Sequence, residues 1–433
     1  MTPSARIAAA VEVMADIEAR RRPAVDALKD WGLAHRFAGS GDRAAIAGLV
    51  YDAMRRRSSA AWLMGEETPR AVVLGMLRLE RAYDTDAIAA LFSGERFAPE
   101  PLTGAERERL AHGSLAGAPA HVAGDYPEWL DAHLVRVFGE ARAEEAAALA
   151  RRAPLDLRVN TLKATRDAVL GELAHLNPAP TRFSPVGLRI DLSFTARNPA
   201  IHAEPAYIKG RIEVQDEGSQ IAALLSGARA GETVIDLCAG AGGKTLALAA
   251  AMAGSGELYA TDLDKRRLAP IHERLTRAGA ANVEVRTPRT FDDTQTVADL
   301  AGRADLVLID APCTGTGTWR RNPDAKWRMR PGALEQRTRQ QAEILDRAAG
   351  LVRPGGRIAY VTCSILAEEN ADQVTSFMAR HPGFSETQPD LTVLGAQATA
   401  FEEATRAGPG LLMTPRRTGT DGFFVCMLRR TAG

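Results

Sequence analysis

Residues 233–245 read TVIDLCAGAGGKT, an apolar run that passes directly into a turn with three glycines. The stretch LALAAAMA, residues 246–253, follows and has helical composition. The pattern predicts a strand, a glycine turn and a helix. Glycines let backbone amides approach a ligand closely, and a helix N-terminus favours negative charge. We therefore expect this turn to bind part of a cofactor.

Short apolar runs alternate with longer helical stretches on either side of this turn, which predicts a parallel sheet with crossover helices. The expected strands are residues 233–239, 256–262, 282–287, 304–311 and 357–363, with 423–430 as an edge or antiparallel strand. The fold class is then α/β, with a doubly wound, Rossmann-like core. Ligands of such sheets bind outside the carboxyl ends of the strands.

Asp262 ends the second predicted strand, where a carboxylate can accept hydrogen bonds from ribose hydroxyls. Together with the glycine turn it predicts a nucleoside-bearing cofactor. The alternative is a tight turn and a solvated aspartate without a ligand. A phosphate-binding P-loop is disfavoured, because Cys238 stands where that motif requires its first glycine.

Two of the four cysteines close predicted strands, Cys313 in DAPCTGTG (310–317) and Cys363 in VTCS (361–364). The four thiols lie far apart with no CxxC spacing, which argues against a disulfide framework and against a zinc site. We expect reduced thiols and no metal. Cys426 and Cys238 are more typical of small core residues.

The chain is long enough for two or three domains. Helical apolar spacing predicts an all-helical domain at 1–125, and a Gly/Pro/Ala-rich stretch at 113–127 marks its end. A mixed α/β segment at 126–211 and the core at 212–433 follow. The N-terminal stretch contains acidic residues every few positions, so it is neither a secretory signal nor a membrane span, and we expect a cytoplasmic protein.

The segment TWRRNPDAKWRMRPGALEQRTR, residues 318–339, carries seven basic and two acidic side chains with two interleaved tryptophans. Such a mixture suits phosphate contacts and base stacking on RNA, although the net charge of the whole chain is zero. The alternative is a solvated loop and helix face. The expected RNA contacts here are Arg320, Arg321, Lys326 and Trp327.

The order of DLCAGAGGKT, DLD, DAPCTGTG, YVTCS and GTDGFF resembles the Sun-type RNA cytosine methyltransferases, over Tyr126–Arg430. PEWL and LRVNTLK resemble the region that precedes the catalytic part of that family. The N-terminal helices, with GDRAAIAGLVYDAMRRR, resemble the NusB-type RNA-binding domain of the bacterial enzyme that acts on small-subunit ribosomal RNA.

The resemblance implies an enzyme that uses S-adenosylmethionine to make 5-methylcytosine in RNA, with 16S ribosomal RNA favoured as the substrate. It implies Arg158 and Asn160, within LRVNTLK, as further RNA contacts. The residues implied at the cofactor are Cys238, Ala239, Gly240, Ala241, Gly242, Gly243, Lys244, Asp262 and Asp310.

The chemistry needs a nucleophilic thiol for carbon 6 of cytosine, a group that stabilises charge on the ring, and a base for the carbon 5 proton. By resemblance Cys363 is the nucleophile, Asp310 orients and protonates the base, and Cys313 assists release, with Lys244 in the same catalytic group. The residues alone leave the order of the two cysteines open. A helix predicted in ILAEENADQV, directly after Cys363, favours that thiol, because a helix N-terminus makes a thiol more acidic.

Two positions depart from the family pattern. Ala241 replaces a common proline in the cofactor turn. Pro288 and Arg289 stand where an aspartate for the adenine amine is usual, so adenine binds backbone groups or Asp292 takes that place. The alternatives left open are the same reaction on transfer RNA and a degenerate RNA-binding or ribosome-assembly protein. We expect a monomer.

Overall fold

The computed structural model describes residues 1–192, 199–290, 294–406 and 408–432. The chain forms two compact units, Met1–Arg152 with Thr318–Arg330, and Ala153–Gly317 with Pro331–Gly433. This division differs from the predicted boundary at residue 125, because the helices at 126–152 group with the helical unit. Part of the basic, tryptophan-bearing segment also belongs to that unit.

The first unit is helical, as predicted for the N-terminal region. Side-chain caps begin several of its helices, among them Thr2, Thr68 and a capping box formed by Thr103 and Glu106. Its core is aliphatic and built around residues such as Met14 and Leu74. The helices are α1 (Pro3–Arg20), α2 (Ala24–Ala34), α3 (Ser40–Arg55), α4 (Arg57–Met64), α5 (Pro69–Leu79), α6 (Thr85–Leu91), α7 (Gly104–His112), α8 (Ala120–Ala123), α9 (Asp131–Phe138) and α10 (Arg142–Ala150).

The second unit begins with a small antiparallel sheet over its own apolar core. Its elements are β1 (Leu155–Val159), α11 (Arg166–Glu172), β2 (Ala179–Pro180), β3 (Gly187–Ile190), α12 (Pro205–Ile208) and β4 (Ile212–Val214). The strand order is β2-β3-β1-β4. The predicted mixed α/β segment is therefore present, but its last strand lies just beyond the predicted boundary at residue 211.

The larger sheet has the predicted parallel strands with helices between them. Its strands are β5 (Thr233–Asp236), β6 (Glu257–Ala260), β7 (Val283–Val285), β8 (Ala304–Asp310), β9 (Val352–Thr362), β10 (Phe384–Thr387), β11 (Leu411–Met413) and β12 (Phe423–Arg430). The remaining helices are α13 (Glu217–Leu225), α14 (Gly243–Ala251), α15 (Lys265–Leu268), α16 (Ile271–Ala278), α17 (Ala325–Arg328), α18 (Pro331–Leu351), α19 (Ala371–Arg380) and α20 (Ala398–Thr405), of which α17 belongs to the first unit. Short 3-10 helices lie at Glu128–Leu130, Gly139–Ala141, Ala174–Leu176, Ile201–Ala203, Thr294–Leu300, Thr316–Thr318, Ala367–Glu369 and Leu391–Gln397.

The strand order is β10-β12-β9-β8-β5-β6-β7, with β11 paired to β12. β12 is antiparallel to β9 and lies inside the sheet, so the antiparallel alternative is correct and the edge alternative is wrong. From β5 the chain winds outward to β7 and then returns to β8 on the other side of β5. The predicted doubly wound fold is confirmed, and its topological switch point lies between β5 and β8, where ligands bind.

Candidate active site

The glycine turn after β5 has the backbone that only glycine adopts readily. Gly240 and Gly242 have φ of +49° and +85°, in the left-handed region. A Cβ on Gly242 would lie 2.5 Å from Cγ1 of Ile271, so the turn also packs closely against α16. The turn leads directly into α14, for which Gly242 is the N-cap residue.

Asp262 lies beside this turn, as the sequence predicted for a shared ligand site. The backbone amide of Gly240 donates to its Oδ2 at 3.0 Å, and the amide of Asp264 donates to its Oδ1 at 2.9 Å. The carboxylate is buried and held in one orientation. The structure thus brings together the glycine turn and the aspartate expected at a ribose.

Lys244 and Asp310 form an ion pair across the switch point, with Nζ and Oδ2 2.7 Å apart. Lys244 is buried in the first turn of α14, whereas Asp310 at the end of β8 is about one-third exposed. The ammonium also lies 5.1 Å from the ring centre of Phe423, at the start of β12. The lysine fixes the position of a carboxylate that keeps one side open to a ligand.

Asp236, the last residue of β5, is a buried carboxyl that the sequence analysis missed. Thr245 donates its hydroxyl to Oδ2 at 2.7 Å, while Oδ1 is buried without a hydrogen-bond partner. Burial raises its pKa to about 7, and the nearby carboxylates of Asp310 and Asp262 add to that shift. The position of Asp236 in DLCAG, at the carboxyl end of the central strand, could have identified it from the sequence.

The two cysteines expected at neighbouring strand ends do meet. Sγ of Cys313 lies 3.3 Å from Sγ of Cys363, a thiol–thiol hydrogen-bond distance. The Cys363 sulfur and burial together raise the pKa of the Cys313 thiol well above its usual range. All four cysteines are free of disulfides. Cys426 is a buried core residue, as expected, whereas Cys238 is partly exposed at the start of the cofactor turn.

A buried glutamate, Glu369, holds the loop that carries Cys313. Its carboxylate accepts the backbone amide of Thr314 at 2.8 Å and the hydroxyl of the same residue. Gln341 on α18 donates to Glu369 at 3.1 Å and to the carbonyl of Pro312 at 3.0 Å. Burial raises the pKa of Glu369. Nothing in the sequence marks these residues as partners, because they meet only through the fold.

Close glycine contacts hold the other end of the same loop. A Cβ on Gly317 would lie 2.1 Å from the carbonyl oxygen of Gly422, and Gly422 donates its amide to the Gly317 carbonyl at 2.8 Å. Gly317 in turn donates to the carbonyl of Cys363 at 2.9 Å. The motifs DAPCTGTG, VTCS and GTDGFF thus form one connected backbone arrangement.

The helix expected directly after Cys363 is wrong. Ser364 to Leu366 are irregular, a 3-10 helix covers Ala367–Glu369, and α19 begins only at Ala371. Thr362 and Ser364 are held by Asn370, which accepts from the Thr362 hydroxyl and donates to the Ser364 carbonyl at 2.8 Å. A helix N-terminus therefore provides no argument for the acidity of the Cys363 thiol.

Arg158 and Asn160, expected at RNA, are both buried in the second unit. Arg158 donates to Gln215 at 2.7 Å, and burial lowers its pKa to about 10. Asn160 donates to the backbone carbonyls of Gly210 and Ala278 at 2.9 and 2.8 Å. Both side chains join elements of the fold, which corrects the expectation that they face RNA.

Part of the basic segment is also packed into the helical unit. Arg320 is 5% and Lys326 1% exposed, and Trp319 is buried as well. The Lys326 ammonium donates to the Arg55 carbonyl at 3.2 Å, and burial lowers its pKa to about 7. Arg320 and Lys326 are therefore not exposed for phosphate contacts, which corrects that part of the prediction.

Arg321 and Trp327 are partly exposed. Nε1 of Trp327 donates to the Met54 carbonyl at 2.7 Å, so its ring has a fixed orientation. Their contact with RNA stays a prediction.

The aspartate that binds the adenine amine in the resembled family is replaced in this chain by Pro288 and Arg289. Pro288 is buried and Arg289 is exposed, beyond the end of β7. Asp292, the alternative that the sequence raised, lies outside the described residues.

Among the described residues, no group of three or more His, Cys, Asp or Glu side chains is arranged to hold a metal ion. In the same residues, no helix combines the length and apolar character that crossing a membrane requires.

The doubly wound sheet, the glycine turn with its aspartate, and the charged pair beside two thiols define an enzyme of the Rossmann-like methyltransferase class. A model of the family described as 16S rRNA methyltransferase RsmB/F matches residues 223–429. A model of the RsmF/B-like ferredoxin-like domain matches residues 126–195.

Curated relatives are also named as methyltransferases of small-subunit ribosomal RNA. Ribosomal RNA small subunit methyltransferase B of Sodalis glossinidius is 34% identical over 78% of this chain and 70% of its own length. The protein of that name from Salmonella paratyphi B is 33% identical over 70% of this chain and 66% of its own length.

Solved structures share the fold. The crystal structure of PH0851 has a TM-score of 0.71 at 25% identity and covers 99% of both chains. The structure of NSun6 from Pyrococcus horikoshii with SFG has a TM-score of 0.59 at 23% identity, over 71% of this chain and 99% of that one.

The chain belongs to the RsmB/F family of 16S rRNA methyltransferases, and it is an RNA methyltransferase. The predicted family is confirmed, and the predicted methyl donor, S-adenosylmethionine, agrees with it. These matches name no NusB-type domain, so the resemblance of the N-terminal helices to one stays a prediction.

Proposed function

We propose that this protein transfers a methyl group from S-adenosylmethionine to carbon 5 of a cytosine in 16S ribosomal RNA, through a covalent adduct on Cys363. The observation that carries the proposal is the 3.3 Å contact between the Cys313 and Cys363 thiols at the carboxyl ends of β8 and β9. Asp310 pairs in register with Val361 on the neighbouring strand, so the charged pair belongs to the same edge of the sheet.

The cofactor turn fits a nucleoside-bearing methyl donor. The left-handed glycines leave room beside the backbone, and the Asp262 carboxylate is buried next to the Gly240 amide, where ribose hydroxyls can bind it. When bound there, S-adenosylmethionine supplies a methyl group on a positively charged sulfur. Residues 238–244 and Asp262 would hold it there, with Asp310 beside them through its ion pair with Lys244.

The protein's own groups make carbon 5 of cytosine reactive. The Cys363 sulfur, as thiolate, forms a bond to carbon 6, and the ring electrons move toward N3. Asp310, positioned by Lys244, gives a proton to N3 as that charge develops, and recovers it when the aromatic ring is restored. Carbon 5 then takes the methyl group with release of S-adenosylhomocysteine, a base removes the carbon 5 proton, and the Cys363–carbon 6 bond breaks, so that the ring regains its aromaticity and the sulfur leaves with the bonding electrons.

The environment of Cys313 supports its role in release. Its pKa is raised by the Cys363 sulfur and by burial, so it keeps its proton while its neighbour reacts. A thiol at 3.3 Å can pass a proton to the departing Cys363 sulfur and take it back afterwards, which restores the Cys363 thiolate. Glu369 keeps this thiol in place through the amide of Thr314.

The intact thiols, Lys244 and Asp310 argue against a degenerate binding protein, and the curated relatives favour ribosomal over transfer RNA. The cytoplasmic location and the monomeric state stay predictions.

A covalent trapping experiment tests the proposal. Each variant is incubated with 16S ribosomal RNA and S-adenosylmethionine, denatured, and examined for a slowly migrating protein–RNA band. Cys363→Ala should form no band and transfer no methyl group. Cys313→Ala should accumulate the band, because the adduct forms and is released poorly.

Cys426→Ala removes a thiol outside the site and serves as the matched control, with bands and activity like the wild type. RNA binding is measured for each variant, so that lost binding is distinguished from lost chemistry. A band with Cys363→Ala but not with Cys313→Ala would reverse the two roles. Full activity of Cys363→Ala would refute the mechanism, and methylation of transfer RNA alone would refute the substrate.

A further inference from the structure

Three basic stretches that are far apart in the sequence line one cavity of the helical unit. Arg21 and Arg22 follow α1, Arg57 begins α4, and Arg328 and Arg330 belong to the segment that contains α17. Trp327 completes the wall, and the cavity has a volume of 380 Å³. We call it the arginine cavity. All of its lining residues belong to the first unit and lie outside the active site.

The charge of the arginine cavity is strongly unbalanced. Its five arginines are accompanied by only two lining carboxylates, Glu18 and Asp324. Glu18 pairs with Arg57 at 3.2 Å, and Asp324 pairs with Arg328 at 3.2 Å. The carboxylates of the lining are thus already engaged, and the remaining charge of the cavity is positive.

This balance leaves over three arginines of the lining, of which Arg21 and Arg330 carry no ion pair in the described residues. Both are exposed, and in the described part of the chain neither has a carboxylate partner. Arg22, by contrast, is paired with Asp16 and Asp30. Two exposed guanidinium groups at one cavity are suited to an anion such as a phosphate, which accepts their planar pairs of N–H groups.

Trp327 gives the cavity a second kind of contact. Its indole Nε1 is held by the Met54 carbonyl at 2.7 Å, and the Arg57 guanidinium lies 5.5 Å from its ring centre. The ring is partly exposed and cannot turn freely. A fixed aromatic ring among guanidinium groups is what single-stranded nucleic acid binds, through stacked bases and neutralised phosphates.

We propose that the arginine cavity binds single-stranded RNA, with a backbone phosphate at Arg21 and Arg330 and a base against Trp327. The cavity volume lies in the range of sites that enclose a small ligand, so it receives one nucleotide of a strand rather than a duplex. The inference rests on the proposed function, because that function supplies RNA as the substrate. It adds an RNA site in the helical unit, apart from the reacting cytosine.

The test measures binding of a short fluorescein-labelled single-stranded RNA by anisotropy over a range of salt concentrations. The variant Arg21→Ala/Arg330→Ala removes the two guanidinium groups without breaking an ion pair. Its log–log salt slope should fall by about 0.7, since the two arginines hold one phosphate and each neutralised phosphate of a single strand contributes about 0.7. The charge-reversed Arg21→Glu/Arg330→Glu variant should bind the RNA still more weakly.

Arg36→Ala/Arg107→Ala is the matched control, because both residues are exposed arginines of the same unit outside the cavity. It should keep the wild-type slope. Equal slopes for the cavity and control variants would overturn the proposal. An RNA of the same length without bases that binds as tightly as the complete RNA would overturn the stacking contact.

Binding is measured without the methyl donor, so this result is independent of catalysis. If wild type binds RNA through the cavity but methylates no cytosine, the proposed function fails while the RNA site stands. If wild type methylates 16S ribosomal RNA and the cavity variant binds like the control, the site fails while the function stands.

Discussion

Replacing Asp236 by asparagine should remove a pH-dependent loss of stability from the second unit. Asp236 is fully buried at the end of β5, accepts a hydrogen bond from Thr245, and has a second oxygen without a partner. Burial raises its pKa to about 7 from an ordinary value of 3.8, with a further contribution from Asp310. The folded protein therefore holds this proton over a pH range in which the unfolded chain has released it.

The sign and the size of the effect on the free energy of unfolding follow from the difference between the pKa values of Asp236 in the folded and unfolded states. Below about pH 4 both states are protonated, and Asp236 imposes no ionisation penalty. Between about pH 4 and pH 7 the unfolded state loses the proton first, so the free energy of unfolding falls as the pH rises. At roughly 1.36 kcal/mol per pKa unit, the full loss above pH 7 is about 4 kcal/mol, as an order of magnitude.

The assay is urea unfolding of the cofactor-free wild type and Asp236→Asn, at a series of pH values. Asparagine still accepts from Thr245, and its unpaired amide adds a destabilisation of about 1 to 3 kcal/mol that does not depend on pH. The difference in unfolding free energy between the two proteins should therefore shift by about 4 kcal/mol in favour of the variant as the pH rises from about 4 to 8.

Thr245→Val is the companion variant. It removes the hydrogen bond that lowers the pKa of Asp236, so the fall in stability should extend to a higher pH than in the wild type. Parallel stability profiles for wild type and Asp236→Asn would refute the reasoning, since they would mean that Asp236 ionises alike in both states.

Two further outcomes are expected at the active site. Asp262→Ala should weaken binding of S-adenosylmethionine by about 1 to 3 kcal/mol in calorimetry, because ribose hydroxyls lose a buried acceptor; unchanged affinity would remove Asp262 from the site. Glu369→Ala should leave the Thr314 amide unpaired and remove one of the two hydrogen bonds of the Gln341 amide, so methyl transfer should fall while RNA binding persists. A wild-type rate for Glu369→Ala would show that the loop with Cys313 needs no such support.

Local patterns were sufficient for much of the fold and for the core of the site. Alternating apolar runs predicted the parallel strands, because a strand buried on both faces must be apolar along its length. The glycine turn and Asp262 could be recognised in the sequence, because each lies at the end of a single predicted strand. The carboxyl ends of parallel strands meet at one edge, so Cys313 and Cys363 were expected together, and they lie 3.3 Å apart.

The order of neighbouring strands had to come from the tertiary structure. The apolar run of β12 is compatible with an edge or an interior strand, and only its pairing with both β9 and β10 decides between them. Glu369 looks like part of an ordinary helix in ILAEENADQV until the fold brings it to Thr314. These are non-local contacts, which no short stretch of residues encodes.

The sequence by itself determined the fold class, and its motifs indicated the family, since both depend on patterns along single strands and turns. It could not decide which basic side chains reach RNA. Arg158 and Lys326 look like surface charges in the sequence, but partners distant in the chain bury them. Arg21 and Arg330 carry no motif, yet they meet at one exposed cavity. The exposure of a side chain depends on which distant parts of the chain pack against it. The tertiary structure alone therefore decides it.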